Sequence, residues 1–79
     1  GLGLVNPMPK LPPLVLVWTV QDLVDYLRHI ELPYLEHAVR LNGISVALLL
    51  DCQPLELELA GFTQLQMKKM FGSFPHPAD

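Results

Sequence analysis

Cysteine is nearly absent from this chain: Cys52 stands alone among 79 residues. A disulfide within the chain and a cysteine-based zinc site are therefore excluded. The lone thiol suits a reducing compartment, so an intracellular location, cytoplasmic or nuclear, is expected. Positive charge is also scarce. Five Lys and Arg stand against eight Asp and Glu, giving a net charge of −3, and the five are scattered. A binder of phosphate backbones needs a basic patch or stripe, so nucleic acid is not the expected partner. Long apolar runs are missing as well. None approaches the ~18 residues of a transmembrane helix, and a membrane partner is not expected. Gly1 to Pro9 lacks the basic and apolar regions of a signal peptide, and a start at Gly1 instead of Met reads as a trimmed chain.

The chemistry-bearing patterns are missing too. Gly1-Leu2-Gly3 precedes no strand-to-helix turn, so it is not a phosphate loop. No Ser, His and acid grouping has local support. His29, His37 and Cys52 include two kinds of metal ligand, but their spacing matches no metal motif. A chain this short has little room for a water-excluding pocket. The reading is a non-enzyme with no cofactor, no metal and no small-molecule substrate.

What the chain does have is apolar side chains, 51% of its residues. A domain of this length buries only roughly 60% of its unfolded surface, so a leucine-dense core is what it needs. Proline and glycine partition it. Pro7, Pro9, Pro12 and Pro13 keep the start extended. Residues 1–17 read as an arm or linker, 18–74 as a helical domain and 75–79 as a disordered tail. In the arm, Leu14, Leu16 and Trp18 alternate with Val15 and Val17. One such face is expected to cover a groove between the first and fifth helices.

Helix signals then follow in order. Thr19 is an N-cap with Asp22 three residues on, and Val20, Leu23, Val24, Leu27 and Ile30 recur at helical spacing. This predicts a helix over about 20–30. Pro33 opens a second over about 33–41, closed by Asn42-Gly43. Ser45 caps a third through Leu50. Pro54 opens a fourth and Gly61 stops it. Thr63 caps a fifth with Leu65, Met67, Met70, Phe71 and Phe74 as its apolar set. The fold class is all-α, five short helices in a compact bundle.

The fourth segment is ambiguous on its face. Leu55-Glu56-Leu57-Glu58-Leu59 has the period of a half-buried strand. A lone strand among helices would leave its backbone groups without partners, and that is expensive. As a helix, Leu55 and Leu59 share one side while Leu57 lies roughly 200° away. The three leucines cannot all face inward.

From Trp18 to about Phe71 the chain resembles the sterile alpha motif (SAM) domain, a five-helix interaction module. The family's opening Trp, capping Ser or Thr and first helix look like Trp18-Thr19-Val20-Gln21-Asp22-Leu23-Val24-Asp25-Tyr26-Leu27. Leu32, Leu35 and Val39 resemble the apolar set that follows, with Tyr34 one place early. The family pattern Ile-Asp-Gly-x-x-Leu-Leu-x-Leu-Thr looks like Ile44-Ser45-Val46-Ala47-Leu48-Leu49-Leu50-Asp51-Cys52-Gln53. Leu-x-x-Leu-Gly-Ile looks like Leu57-Glu58-Leu59-Ala60-Gly61-Phe62. Three departures stand out. Asp-Gly is replaced by Ser45-Val46, Thr by Gln53, and the Gly and Arg common at the start of the last helix by Gln64, Leu65 and Gln66.

The resemblance implies homo- or hetero-association with another SAM domain, of the same or a different chain, within a scaffold, signalling or regulatory protein. In many SAM domains an acidic surface of the central helices meets the N-terminus of helix 5 on the next copy, head to tail. Carried onto this chain, the acidic side is Asp51, Leu55, Glu56, Glu58 and Leu59. The helix-5 side is Phe62, Thr63, Gln64, Leu65 and Lys68. The plainer readings are solvated acids, Leu55 and Leu59 in the core, and Lys68-Lys69 as a solvated face. Two alternative functions stand beside association: RNA-hairpin binding, as in some SAM domains, and membrane-surface binding through the apolar arm.

Overall fold

The computed structural model describes residues 9–75. Among them are five α-helices and no strand: α1 (Val20–His29), α2 (Glu36–Leu41), α3 (Val46–Asp51), α4 (Pro54–Ala60) and α5 (Gln64–Ser73). Short 3-10 turns, Val15–Val17 and Pro33–Leu35, precede α1 and α2. The first eight residues of the expected arm and residues 76–79 of the expected tail lie outside the described residues.

α1, α3, α4 and α5 start where side chains can satisfy N–H groups of the first turn, whereas α2 continues out of the 3-10 turn at Leu35 without a side-chain cap. Thr19 Oγ1 accepts the Asp22 N–H at 3.1 Å, and Asp22 Oδ2 accepts the Thr19 N–H at 3.0 Å. Thr63 and Gln66 do the same for α5, at 3.1 and 2.9 Å. Ser45 Oγ caps α3 through the Leu48 N–H. For α4, Glu56 reaches back to the Gln53 N–H at 2.8 Å. A cap of this kind contributes about 1 kcal/mol. Left-handed residues lie just past the ends of α1 and α4. Glu31 has φ 66° and stops α1 at His29, one residue short of the expected Ile30. Gly61 has φ 116° and ends α4; the Phe62 N–H turns back onto the Leu57 carbonyl at 2.9 Å.

The expected second helix is two elements. Pro33, Tyr34 and Leu35 form a 3-10 turn in which the Leu35 N–H bonds the Leu32 carbonyl, three residues back. The tighter turn carries Leu35 into the core and leaves Tyr34 exposed. The arm also differs from expectation. Leu14, Leu16 and Val17 are exposed, while Val15 packs against the core and Trp18 is buried. The reason is the period. In a 3-10 turn residues i and i+3 eclipse, so Val15 and Trp18 share a side where strand alternation separates them. The turn lies against α3.

Helix faces converge on one core. Leu23, Val24 and Leu27 of α1 meet Val39, Val46, Leu49 and Leu57 of the next three helices. Trp18, Tyr26 and Phe74 cluster at one end, with ring centroids 5.1, 5.2 and 5.9 Å apart. Such pairs contribute ~0.5–1.5 kcal/mol beyond their buried area. The Trp18 indole N–H donates to the Pro12 carbonyl at 2.8 Å, tying the arm to this cluster. No helix among the described residues is long and apolar enough to cross a membrane.

Candidate protein-interaction surface

The alternating leucines and acids of α4 resolve as a helix with one apolar residue in and two out. Leu57 is buried, whereas Leu55 is 63% exposed and Leu59 82% exposed. Leu55, Glu58 and Leu59 occupy a span of ~100° on the side opposite Leu57. Because Pro54 and Gly61 fix both ends of the helix, the register cannot slip to hide these leucines. Their exposure therefore follows from the local punctuation of the sequence.

The start of α5 continues the same edge. Leu65 is 80% exposed on the side opposite Met67 and Met70, which are buried. Gln64, Leu65 and Lys68 stand at i, i+1 and i+4 on that outward side, and Lys69 flanks it. Glu58 and Gln64 join the two helices directly: Gln64 Nε2 donates to Glu58 Oε1 at 3.1 Å. The last turn of α4 and the first turn of α5 are thus held side by side. Residues carried from the acidic side and from the helix-5 side of the family pattern meet on one edge of one molecule.

Two of the expected contact residues need restating. Phe62 is 2% exposed and belongs to the core. Its N–H closes the α4 cap, and the reversal at Gly61 turns its ring inward, so it cannot meet a partner without unfolding. The N-terminus of α5 is also less open than expected. The Thr63 N–H and Gln66 N–H are both taken by the reciprocal cap, so those donors are engaged within the chain. Asp51, Leu55, Glu56, Glu58, Leu59, Thr63, Gln64, Leu65 and Lys68 all lie at the surface, Glu58 being half-buried. Glu56 divides its role, since one carboxylate oxygen caps its own helix.

The arginine charge is engaged within the chain. Arg28 and Arg40 both pair with Glu36, at 2.7 and 3.1 Å, and Arg40 also donates to Gln21 at 2.7 Å. Hydrogen bonds from the Arg28 and then the Arg40 side chain hold the Glu36 carboxyl below its ordinary pKa. This network stitches α1 to α2. The two arginines are thereby committed to a structural contact.

Sequence reasoning missed a second apolar surface. Pro13, Leu14, Val15 and Leu16 of the arm, Leu50 of α3, and Phe71, Phe74 and Pro75 line an open groove of about 340 Å³. The 3-10 turn creates it by pointing Leu14 and Leu16 outward, and nothing in the alternating Leu and Val pattern signals that turn. Among the described residues no group of three or more His, Cys, Asp or Glu side chains is placed to hold a metal. Cys52 is half-buried against the core, in a position that suits packing.

No family model matches the chain, and neither a curated protein nor a solved structure matches it.

Proposed function

We propose that this chain is a SAM-type protein–protein interaction module that associates with a second helical module of the same kind, in the same or a different protein. The observation that carries the reading is the outward placement of Leu55, Leu59 and Leu65 on one edge, rimmed by Glu56, Glu58 and Lys68. A surface helix in solution has no need of two leucines on its solvent side. Contiguous exposed apolar residues with a polar rim are the mark of a docking site. The leucines supply affinity by leaving water, and the charges set orientation and encounter rate. The helix order, the buried Trp18 and the inward Leu57 support the SAM resemblance. The pairing of both arginines with Glu36 favours a protein partner over RNA.

The test is to titrate the isotope-labelled chain with itself, and separately with other SAM domains, following amide shifts by NMR. The reading expects concentration-dependent shifts centred on residues 55–68, lost in Leu55→Glu. Shifts confined to Lys10 and the arm on adding RNA or lipid vesicles would replace it with one of the alternatives.

A further inference from the structure

The proline-rich arm ahead of Trp18 takes no part in the α4–α5 surface. Pro9-Lys10-Leu11-Pro12-Pro13 carries prolines at i and i+3, and Lys10 is the only charged side chain ahead of Asp22. Proline fixes its own φ and holds the residue before it extended, so Leu11 and Pro12 are both confined to extended backbone. A polyproline II helix has three residues per turn and no internal hydrogen bonds. Exposure along the segment follows that period: Lys10 and Pro13 are exposed, whereas Pro9, Leu11 and Pro12 are half-buried. The N–H groups of Lys10 and Leu11 enter no hydrogen bond among the described residues. Leu11 packs on the core, and the Pro12 carbonyl accepts the Trp18 indole N–H at 2.8 Å. A proline segment laid on an aromatic surface is the arrangement by which grooves recognise Pro-rich ligands. Here the bundle holds its own arm in that way.

We propose that Pro9–Pro13 is a ligand for a second protein, a proline-recognising domain of the SH3 kind with an acidic residue beside its aromatic slots. The inference goes beyond the association reading above and uses none of its residues. Pro9 and Pro12 share one edge of a polyproline helix and enter the slots, with Leu11 beside Pro12. Lys10, on the next edge, meets the acid. A segment already extended by its prolines loses little conformational freedom on binding. The bundle grips the same segment through Leu11 and the Trp18–Pro12 hydrogen bond. Self-docked and partner-bound arms therefore exclude each other, and the partner binds only the fraction of chains whose arm is released. Trp18 is the latch. Weakening its hold raises that fraction and strengthens partner binding without adding a contact.

Titrating the isotope-labelled full chain with a panel of SH3 domains that take Pro-x-x-Pro ligands, up to roughly 1 mM, tests this by NMR. The Trp18 indole N–H and the Lys10 and Leu11 amides shift together, because one event frees the first and covers the others. Pro9→Ala and Pro12→Ala each weaken binding roughly tenfold. Lys10→Glu weakens it more at low salt than at high salt. Trp18→Phe keeps a ring, removes the N–H donor and tightens binding about fivefold. Val15→Ala loosens the same arm, leaves the indole in place and also tightens binding; it carries this arm of the test if Trp18→Phe loses its helical circular dichroism. No arm shift with any SH3 domain, or binding indifferent to both proline variants, overturns the proposal. Weaker binding in Trp18→Phe and Val15→Ala alike overturns the latch, since the partner would then be reading the docked arm. Each of these failures leaves the α4–α5 association reading standing.

Discussion

Replacing Tyr26 with phenylalanine should make this protein more stable. The Tyr26 ring is buried between Trp18 and Phe74, and its hydroxyl is sealed from water without a hydrogen-bond partner. Burial raises the phenol pKa above its ordinary 10.0, and the nearby Ser73 side chain pulls it partly back. Ser73 Oγ donates its own proton to the Lys69 carbonyl at 2.6 Å, and its oxygen is not in hydrogen-bond geometry to accept from the phenol. An unmatched buried hydroxyl costs about 1–3 kcal/mol. Removing one oxygen forfeits a few tenths of a kcal/mol in dispersion contacts, roughly, and leaves the ring stack intact. The net expectation for Tyr26→Phe is a gain of about 1 kcal/mol, or a rise of roughly 4–8 °C in Tm for a domain of this size. Calorimetry and urea melts at neutral pH read this directly.

The same variant carries a second signature at alkaline pH. Because the folded phenol keeps its proton to higher pH than the unfolded one, its contribution is fully present below pH 10.0. That contribution is lost as pH rises from there through the folded pKa. The phenylalanine variant should lack this part of the alkaline decline. A loss of 1 kcal/mol or more in Tyr26→Phe would refute the reasoning, because it would mean that the hydroxyl holds a bond which stabilises the fold.

Three further outcomes follow from the geometry. Gly61→Ala should cost about 1–2 kcal/mol, since φ 116° is strained for any side chain even though the added carbon would meet Ala38 at an ordinary 3.9 Å; a melt unchanged within error would contradict it. Deleting residues 1–16 removes the Leu11 and Val15 contacts and the Pro12 acceptor of Trp18, and should lower stability by about 2 kcal/mol, read as a lower urea midpoint. Glu36 should titrate below the ordinary 4.5 in an NMR pH series, so its ion pairs persist above that value and are lost as pH falls through the depressed pKa. Arg28→Gln should return that titration toward 4.5.

The helices were legible because their ends are written in single residues. Thr19, Ser45, Pro54, Gly61 and Thr63 each sit where the structure starts or stops a helix. The outward leucines of α4 were legible for the same reason, since fixed ends fix the rotation of the helix. The 3-10 turns were not. Val15–Val17 and Pro33–Leu35 lack a periodic signature over three residues, and tertiary packing of Val15 and Leu35 selects them. The burial of Phe62 is not legible in the sequence because it depends on the chain reversal at Gly61, which carries the next side chain into the core. The meeting of Glu58 with Gln64 lies beyond sequence reasoning, since it depends on how two helices joined by a tight turn come to rest against each other.

The aromatic cluster has a mechanical consequence. Trp18 stands at the entrance to the bundle and Phe74 at its exit, with ring centroids 5.9 Å apart, and the arm residues Pro13 to Leu16 share a groove wall with Pro75. Whatever polypeptide is fused ahead of Pro13 and behind Pro75 departs from neighbouring points. The unit could be spliced into a surface loop of a host protein with little widening of that loop. A pulling force applied through its two flanks would load the arm's contacts, the Pro12–Trp18 hydrogen bond among them, and the Trp18–Phe74 ring contact before it reached the helices between them.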